Sequence, residues 1–398
     1  MKNILLLTNI YPNNDPNYDG TRVCHFFTQE WVKMGYNVQV VHFDSLFPRP
    51  YYWIGKLFKS KIQAKTGTVA YTDTPRKSVS YVVDGVPVLF VPMFKLIPHK
   101  ASSQKRMQKA FVIMLRHLNS QGFVPDVITS HFTLPQLQML HYCKKQWPGI
   151  RTCLVLHNAG EGLSVYPNYK DLMPSVDVWG FRSKAFLEKF EQRFGKHKDF
   201  ICYSGIPERY IEPVEKTFEG GVRKFAFVGS LYELKRVEDT LRALKLAFPN
   251  GGYSFTIAGS GDEMDRLKTL CSELNIQDNV KFLGQVKRDE AQEVMRETDC
   301  FVMVSSHEAF GLVYVEAMAK GCITIATRGQ GGDGIITDGV DGFLCESKQP
   351  EKLAELLKSI AAMSPADLKK MSQKAFERSK ELSNGKVAES YLKNIQEL

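Results

Sequence analysis

The sequence SSHEAFGLVYVEAMAKG, residues 305–321, places two glutamates, Glu308 and Glu316, on either side of a short apolar run. The apolar residues 300–304 before it predict a buried strand, and residues 310–320 predict a helix. A strand that leads through a loop into a helix is the repeating unit of a parallel α/β sheet. Because ligands bind beyond the carboxyl ends of such strands, this loop is a candidate ligand site.

The same alternation of strand and helix continues on both sides of this stretch. In the second half, strands are predicted at 225–229, 254–258, 280–286 and 323–327, and helices at 237–248, 262–274 and 288–298. In the first half, strands are predicted at 3–8, 38–43, 127–129 and 153–156, and a helix at 21–34. A long polar helix is predicted at about 369–397. The segment 203–224 is rich in Gly, Pro and charge and is the predicted join between two doubly wound α/β domains.

The composition is that of a soluble globular protein, with 43% hydrophobic and 24% charged residues. A length of 398 residues suits two domains rather than one. We find no run of about 18 apolar residues, so no membrane-spanning helix is predicted. The eight cysteines are scattered, without a Cys-x-x-Cys pair. This pattern argues against zinc and against a disulfide framework, and favours the cytoplasm.

Positive charge is concentrated in the first half of the chain. Residues 1–200 carry 26 Lys and Arg against 13 Asp and Glu, whereas the remainder carries 26 against 30. Within the first half, residues 51–61 (YYWIGKLFKSK) interleave aromatic and basic side chains. Such a segment favours a peripheral position on the anionic inner face of the plasma membrane. The alternative is a basic solvated loop over an aromatic core, and no motif for nucleic acid accompanies these residues.

The loop and helix start within 308–316 suit an anionic ligand that also carries hydroxyls. The first amides of a helix lack intrahelical partners and lie at the positive end of its dipole, and Gly311 lets the backbone approach a phosphate. Glu316 is placed to accept hydrogen bonds from vicinal hydroxyls such as those of a ribose, and Glu308 suits sugar hydroxyls. The alternative is a solvated helix face. Apolar residues nearly all round the helix argue against it, because a glutamate among them needs a partner.

Five segments in this order carry a family resemblance: FVGSLYELKRVEDTLRAL, IAGSGDEMDRL, VKFLGQV, SSHEAFGLVYVEAMAKG and DGVDGFL. Together they resemble the nucleotide-sugar half of the retaining GT-B glycosyltransferases of family 4. The resemblance is close over about 200–346 and loose before it. It implies the α/β GT-B fold, in which two Rossmann-like domains face across a cleft. The acceptor-binding domain would comprise residues 1–203 with the C-terminal helix at about 380–398, and the donor-binding domain residues 204–379.

The resemblance implies a role for each matching residue in transfer from a nucleotide-diphosphate sugar. Glu308 matches the glutamate that holds the donor sugar, and Glu316 matches the one that binds the ribose. Lys235 matches the basic residue that neutralises the leaving diphosphate, and His157 in LVLHNAG matches the active-site histidine near the sugar. The other donor-binding matches are Gly20 in the glycine loop of the first domain, Ser230, Arg236, Ala309, Phe310, Gly311 and Leu312.

The sequence departs from the family at three places that bear on the donor. Ser230 stands where the family often has Arg, so Lys235 does more there, or Arg236 or Arg328 compensates. Gly334 stands where the family often has an acidic residue. The loop before the join reads Ser204-Gly205, where Asn-Gly is usual. These changes bear on the identity of the donor more than on the reaction class.

The expected reaction is retaining transfer of a hexosyl unit from a UDP-linked donor to a saccharide or lipid-linked saccharide. This places the chain in the synthesis of cell-surface polysaccharide, such as capsule or lipopolysaccharide, or of glycolipid. No Asp-x-Asp motif is evident, so neither a metal nor another cofactor is expected. His131, in SHFTLPQ, is a weak candidate for an acceptor contact, and packing or helix capping is the alternative.

Three alternatives remain at this point. A nucleotide-sugar epimerase would share the fold and the donor site. A phosphorylase would need a lysine that anchors pyridoxal phosphate, and no such motif is present. A catalytically silent, membrane-bound partner of another transferase is the third alternative, and the departures at Ser230 and Gly334 are the features that favour it.

Overall fold

The computed structural model describes residues 2–13, 21–58, 75–95, 102–157, 163–164 and 166–396. It divides the chain into two compact units. The first comprises residues 1–182, 186–202 and 388–398, and the second comprises residues 183–185 and 203–387. Each unit contains a twisted sheet, which is parallel apart from one edge strand in the first unit, with helices packed against it. The predicted fold class of two doubly wound α/β units is confirmed.

The first unit contains an eight-stranded sheet in the order β3-β4-β2-β1-β5-β6-β7-β8 within the described residues. The strands are β1 (Asn3–Thr8), β2 (Asn37–Leu46), β3 (Val79–Val83), β4 (Val86–Phe94), β5 (Val127–His131), β6 (Arg151–Leu156), β7 (Val178–Phe181) and β8 (Asp199–Ile201). The helices are α1 (Val23–Lys33), α2 (Arg49–Leu57), α3 (Gln104–Ser120), α4 (Gln136–Gln146) and α5 (Lys184–Phe194). The central strands are apolar on both faces because helices cover both faces.

The second unit contains a six-stranded parallel sheet in the order β11-β10-β9-β12-β13-β14 among its described residues. The strands are β9 (Lys224–Val228), β10 (Ser254–Ala258), β11 (Val280–Gly284), β12 (Cys300–Val302), β13 (Ile323–Thr327) and β14 (Phe343–Cys345). The helices are α6 (Val237–Ala247), α7 (Met264–Glu273), α8 (Arg288–Glu297), α9 (Leu312–Ala319), α10 (Pro350–Ala361) and α11 (Pro365–Glu381). A last helix, α12 (Asn384–Gln396), starts in this unit and belongs to the first unit from Ala388 onward. The strand order reverses between β9 and β12, which is where a doubly wound sheet opens a crevice for a ligand.

The single long helix predicted at about 369–397 is wrong, because the structure contains two helices there. The backbone of Ile206 separates them: its amide donates to the carbonyl of Leu382 at 3.0 Å, and its carbonyl accepts from the amide of Asn384 at 2.9 Å. Those bonds take residues 382–384 out of the helical ladder. The segment that belongs to the first unit starts at Ala388, against the predicted return at about residue 380.

Among the described residues, no helix is both long enough and apolar enough to cross a bilayer.

Candidate functional site

The loop between β12 and α9 begins the site in the second unit. Gly311 precedes the helix in the left-handed conformation, with φ 81° and ψ 66°. A Cβ at this position would overlap the ring of Tyr314, whose hydroxyl donates to the carbonyl of Met303 at 2.9 Å. The residue must therefore be Gly for two independent reasons, conformation and space. The helix starts at Leu312, two residues after the predicted start at Phe310, because Gly311 has a non-helical conformation.

Lys235 and Glu308 form an ion pair at the carboxyl ends of β9 and β12. The Lys235 Nζ donates to the Glu308 Oε2 at 2.6 Å, and both side chains are largely buried. Lys235 ends a short 3₁₀ turn, Glu233–Lys235, that lies directly after β9. The amide of Ser306 donates to the carbonyl of Leu234 at 2.8 Å and ties the two loops together. The structure therefore brings together a predicted phosphate-binding cation and a predicted sugar-binding carboxylate.

Glu316 lies inside α9 with a side chain that is nearly buried, at 8% exposed. Its Oε1 accepts from two nitrogens of Arg288, Nη2 at 2.6 Å and Nε at 3.2 Å. Arg288 begins α8, and its guanidinium lies 5.1 Å from the ring centroid of Tyr210. Burial raises the pKa of the Glu316 carboxyl, and the Arg288 guanidinium opposes that shift. The partner that a glutamate in this apolar helix requires is Arg288.

The loop 329–334 packs against the segment that carries Glu308. The amide of Gly331 donates to the carbonyl of Glu308 at 2.8 Å, and the amide of Glu308 donates to the Gln330 side chain at 3.2 Å. A Cβ on Gly331 would overlap the backbone of Phe310. The Gly334 carbonyl accepts from the Tyr203 hydroxyl at 3.1 Å and from Arg378 at 3.2 Å. The bonds from Gly331 and Gln330 hold the backbone of Glu308 in place. The position of its carboxylate therefore depends on the 329–334 loop as well as on the ion pair with Lys235.

The two arginines expected to compensate for Ser230 are held in other ion pairs. Arg236 donates to the carboxylate of Asp239 at 2.8 and 3.0 Å and also pairs with Glu238. Arg328 pairs with the side chain of Asp338. Ser230 itself is exposed just beyond β9. Of the three basic residues considered at the sequence level, Lys235 alone has a glutamate of the site as its partner.

The first unit holds the predicted histidines in one hydrogen-bonded chain. The Nε2 of His157 lies 2.9 Å from the Nδ1 of His131, and the Nε2 of His131 lies 3.2 Å from the hydroxyl of Tyr391 in α12. The His157 ring stacks on Phe132 with centroids 4.1 Å apart. Burial lowers the pKa of His131 to about 3 and lowers that of His157 well below its usual range. Both rings are therefore neutral at pH 7.

His131, the weak candidate for an acceptor contact, is fully buried, as the packing alternative predicts. Its ring lies between His157 and Tyr391 and has no exposed edge, so it orients His157 instead. Gly20, the predicted first-domain glycine, lies in the segment 14–20 outside the described residues. Within the part of the chain that the structure describes, no group of three or more His, Cys, Asp or Glu residues has the geometry of a metal site.

Comparison with known proteins finds a family match within the second unit. Residues 210–378 match the model of the family described as glycosyl transferases group 1. This match supports the interpretation of the chain as a group 1 glycosyltransferase. Lys235, Arg288, Glu308 and Glu316 all lie within the group 1 region.

Individual relatives of known name agree with this family. Over 236 residues the chain is 28% identical to N-acetyl-alpha-D-glucosaminyl L-malate synthase of Bacillus anthracis, a match that covers 56% of this chain and 61% of that protein. Among solved structures, that of HepE from Anabaena in complex with UDP aligns with a TM-score of 0.70 and 16% identity over the full length of both chains. The apo form of the lipopolysaccharide outer core galactosyltransferase WaaB aligns with a TM-score of 0.69 and 15% identity over 99% of both. HepE and WaaB are GT-B glycosyltransferases, and the GT-B fold of this chain is confirmed.

Sequence reasoning missed Arg288 and Tyr391. Arg288 is 28 residues from Glu316, and its place in VKRDE resembles that of any helix-starting arginine. A signal for the pairing of His131 with His157 was present, since each follows a predicted strand and the carboxyl ends of parallel strands meet at one edge. The structure adds that β5 and β6 are direct neighbours.

Proposed function

We propose that the chain is a retaining glycosyltransferase that moves a hexosyl unit from a UDP-linked sugar to a saccharide or lipid-linked saccharide. The observation that carries the proposal is the Lys235–Glu308 ion pair beside the start of α9. One cation for a phosphate, one carboxylate for hydroxyls and a helix N-terminus lie together at the carboxyl edge of the sheet. That combination suits a ligand with a diphosphate joined to a sugar.

In the proposed reaction the bond between the anomeric carbon and the diphosphate oxygen breaks. Lys235 and the first amides of α9 stabilise the negative charge that develops on the leaving diphosphate. The acceptor hydroxyl oxygen forms the new bond on the face that the diphosphate leaves, and its proton passes to the departing phosphate oxygen. Lys235 must part from Glu308 as the diphosphate binds, which frees the carboxylate to accept from the hydroxyls of the donor sugar.

The nucleoside part of the donor is assigned to Glu316. Its carboxylate accepts from the vicinal hydroxyls of the ribose through the oxygen that Arg288 leaves available, since both bonds of Arg288 go to Oε1. A carboxylate has about four acceptor sites, so it can bind both partners at once. We propose that the reaction needs no metal, because Lys235 and the helix dipole supply the positive charge.

The acceptor is proposed from the setting of the relatives. WaaB is named for the lipopolysaccharide outer core, and such an acceptor is a saccharide carried on lipid. The Bacillus anthracis relative is named for a malate product, so a small hydroxy acid is the second acceptor class to test. Assembly of cell-surface polysaccharide or glycolipid at the inner face of the membrane is the proposed setting.

The first experiment measures hydrolysis and binding of a panel of nucleotide sugars by the purified chain, with and without a chelator. Slow hydrolysis of one UDP-sugar, unchanged by the chelator, is the expected result and names the donor. Interconversion of the donor sugar without release of nucleotide would instead indicate an epimerase. Failure to bind any nucleotide sugar would favour the catalytically silent partner.

Glu308→Ala tests the assignment of the sugar contact. We expect kcat to fall by about 100-fold or more, because the carboxylate acts on the sugar in the transition state. The Kd for UDP should stay the same or decrease, because Lys235 loses its competing partner. Titration calorimetry with UDP and a donor-hydrolysis assay separate the two effects. Retained turnover in this variant would contradict the assignment.

A further inference from the structure

Helix α2, Arg49–Leu57, carries several large apolar side chains that are exposed. Trp53 is 67% exposed, Ile54 is 53% exposed and Leu57 is 78% exposed. Tyr51 and Phe58 are also exposed. Soluble proteins rarely leave so many large apolar groups on one short helix, and such a patch marks a surface that binds something.

These side chains share one face of the helix. At 100° per residue, positions 51, 53, 54 and 57 fall within an arc of about 160°, and Phe58 directly follows the helix. The opposite face attaches the helix to the unit: the Phe47 amide donates to the Tyr52 hydroxyl at 3.0 Å, and Gly55 is buried. The apolar face therefore points away from the sheet and is presented to the surroundings.

The sequence that contains and follows the helix carries charge of one sign. From residue 45 to residue 72 the sequence contains five basic residues and no acidic residue. One of them, Arg49, begins the helix and is exposed. A second copy of the chain would bring the same basic residues to the contact, so this charge would not favour it. An anionic lipid surface uses both features at once, since tryptophan, tyrosine and aliphatic groups enter the headgroup boundary while basic groups stay with the phosphates.

We propose that α2 is an interfacial helix that docks the first unit on an anionic phospholipid bilayer. The face formed by Tyr51, Trp53, Ile54, Leu57 and Phe58 enters the headgroup layer with the helix axis in the membrane plane. The proposal rests on the first unit alone and does not depend on the chemistry assigned to the second unit. The proposed function places the reaction at a membrane, and this proposal identifies α2 as the helix that contacts the lipid.

The test is co-sedimentation of the full chain with two kinds of vesicle, phosphatidylcholine alone and an equal mixture of phosphatidylcholine and phosphatidylglycerol. The wild type should bind the mixed vesicles and bind the neutral vesicles much more weakly. Trp53→Ser/Leu57→Ser should lower partitioning onto the mixed vesicles by about 100-fold, because two large apolar side chains no longer enter the lipid. The emission of Trp53 should shift to the blue in the wild type on addition of mixed vesicles.

Val112→Ser/Leu246→Ser is the matched control. These residues are also exposed apolar side chains, at 42% and 47%, but lie on α3 and α6. Their loss should leave vesicle binding unchanged, and the melting temperature of both double variants should match the wild type. The proposal is overturned if the wild type does not bind the mixed vesicles, or if the Trp53/Leu57 variant binds as tightly. A concentration-dependent dimer that the same variant disrupts, without vesicle binding, would assign the face to a second copy of the chain.

Discussion

Arg288 and Glu316 form the most consequential side-chain pair in the second unit. The carboxylate is almost buried, whereas the guanidinium is partly exposed and lies over the Tyr210 ring. A buried carboxylate without a counter-ion is costly, and the pKa shift of Glu316 expresses that cost. Arg288 thus opposes the rise in the pKa of this carboxyl that burial causes.

Arg288→Ala should destabilise the protein in a pH-dependent way. We expect a loss of about 1–2 kcal/mol in the free energy of unfolding at pH 7, because Glu316 stays buried without its partner. The loss should shrink as the pH falls, since the variant raises the pKa of Glu316 further and a protonated carboxyl needs no counter-ion. Urea unfolding at pH 7 and pH 5 measures both values.

Arg296→Ala is the control on the same helix. Arg296 pairs with Glu212 and Glu293, and both of these carboxylates are exposed. Surface pairs of this kind contribute about 0–1 kcal/mol, so this variant should change stability little at either pH. Equal losses for the two variants would show that burial of Glu316 is not the cause.

His131 should make stability decline in mild acid. Its pKa is about 3 in the native protein and about 6.5 when unfolded, so only the unfolded chain takes up this proton between those values. Stability is therefore fully present above about pH 6.5 and falls as the pH drops. The contribution of His131 between pH 7 and pH 5 is about 2 kcal/mol.

His131→Gln removes that proton uptake and should flatten the decline by a similar amount. The exposed His307→Gln is the control for loss of a histidine, and its pH dependence should follow the wild type. Unfolding by urea at four pH values between 7 and 5 gives the slopes. An unchanged slope in His131→Gln would contradict the neutral, buried state of this ring.

The start of α9 is the element on which the proposed donor site depends. Gly311→Ala introduces a Cβ both at a positive φ and against the Tyr314 ring. We expect a loss of about 2–4 kcal/mol in stability and a weaker affinity for UDP, because the first turn must shift. Urea unfolding and titration with UDP measure the two effects.

Gly339→Ala separates backbone strain from collision. Gly339 has a similar φ of 72°, but a Cβ there would meet nothing within 4 Å. Its cost should be about 1 kcal/mol, with UDP affinity unchanged. If both alanine variants cost the same, the close approach to Tyr314 does not decide the conformation at Gly311.

The elements of the second unit could be predicted closely from the sequence. The prediction of a strand at 323–327 matches β13 residue for residue. A short apolar run between Gly321 and the glycine-rich loop 329–334 is typical of a buried strand.

Several elements of the first unit have no counterpart among the predictions, and the β3–β4 hairpin and α2 are two instructive cases. The β3–β4 hairpin has an Asp84-Gly85 turn signal that was overlooked. The helix α2 has a proline, Pro50, in its first turn and is rich in aromatics. The pattern of residues 51–61 predicts a membrane-facing segment or a solvated loop, but does not predict that the segment is helical.

Contacts that join distant parts of the chain could not be predicted. The Glu308 and Glu316 positions followed from local pattern and resemblance, but their basic partners lie 73 and 28 residues away. The hydrogen bond between Tyr391 and His131 spans 260 residues. Local periodicity cannot predict such pairs, because the two residues become neighbours only when the order of strands in the sheet brings their loops together.

On the scale of the whole molecule, the last residues of the chain complete the first unit. Tyr391 is buried against Phe27 and Trp31, and the Trp31 Nε1 donates to the carbonyl of Ala388 at 3.1 Å. Arg151 donates to the carbonyls of Ile395 and Gln396 at 3.0 Å. The core of the first unit is therefore built from both ends of the sequence.

Tyr391→Ala should destabilise the first unit in particular. We expect a loss of about 3–5 kcal/mol, as for other large core residues, and faster hydrogen exchange in β1, β5 and β6. Exchange in β9 to β14 should stay as in the wild type. Tyr391→Phe keeps the ring and should cost about 1 kcal/mol, from the lost hydroxyl bonds. Equal acceleration in both units would contradict this localisation.

The C-terminal helix also has a consequence for synthesis on the ribosome. Residues 203–387, which make up nearly all of the second unit, emerge before residues 388–396 that the first unit needs. At about 5–20 residues per second, the first 202 residues wait roughly 10–40 s for this last piece. During that interval the nascent chain carries an unfinished first unit with an uncovered Trp31, while the second unit can already close. The unit that is translated first is thus the unit that matures last.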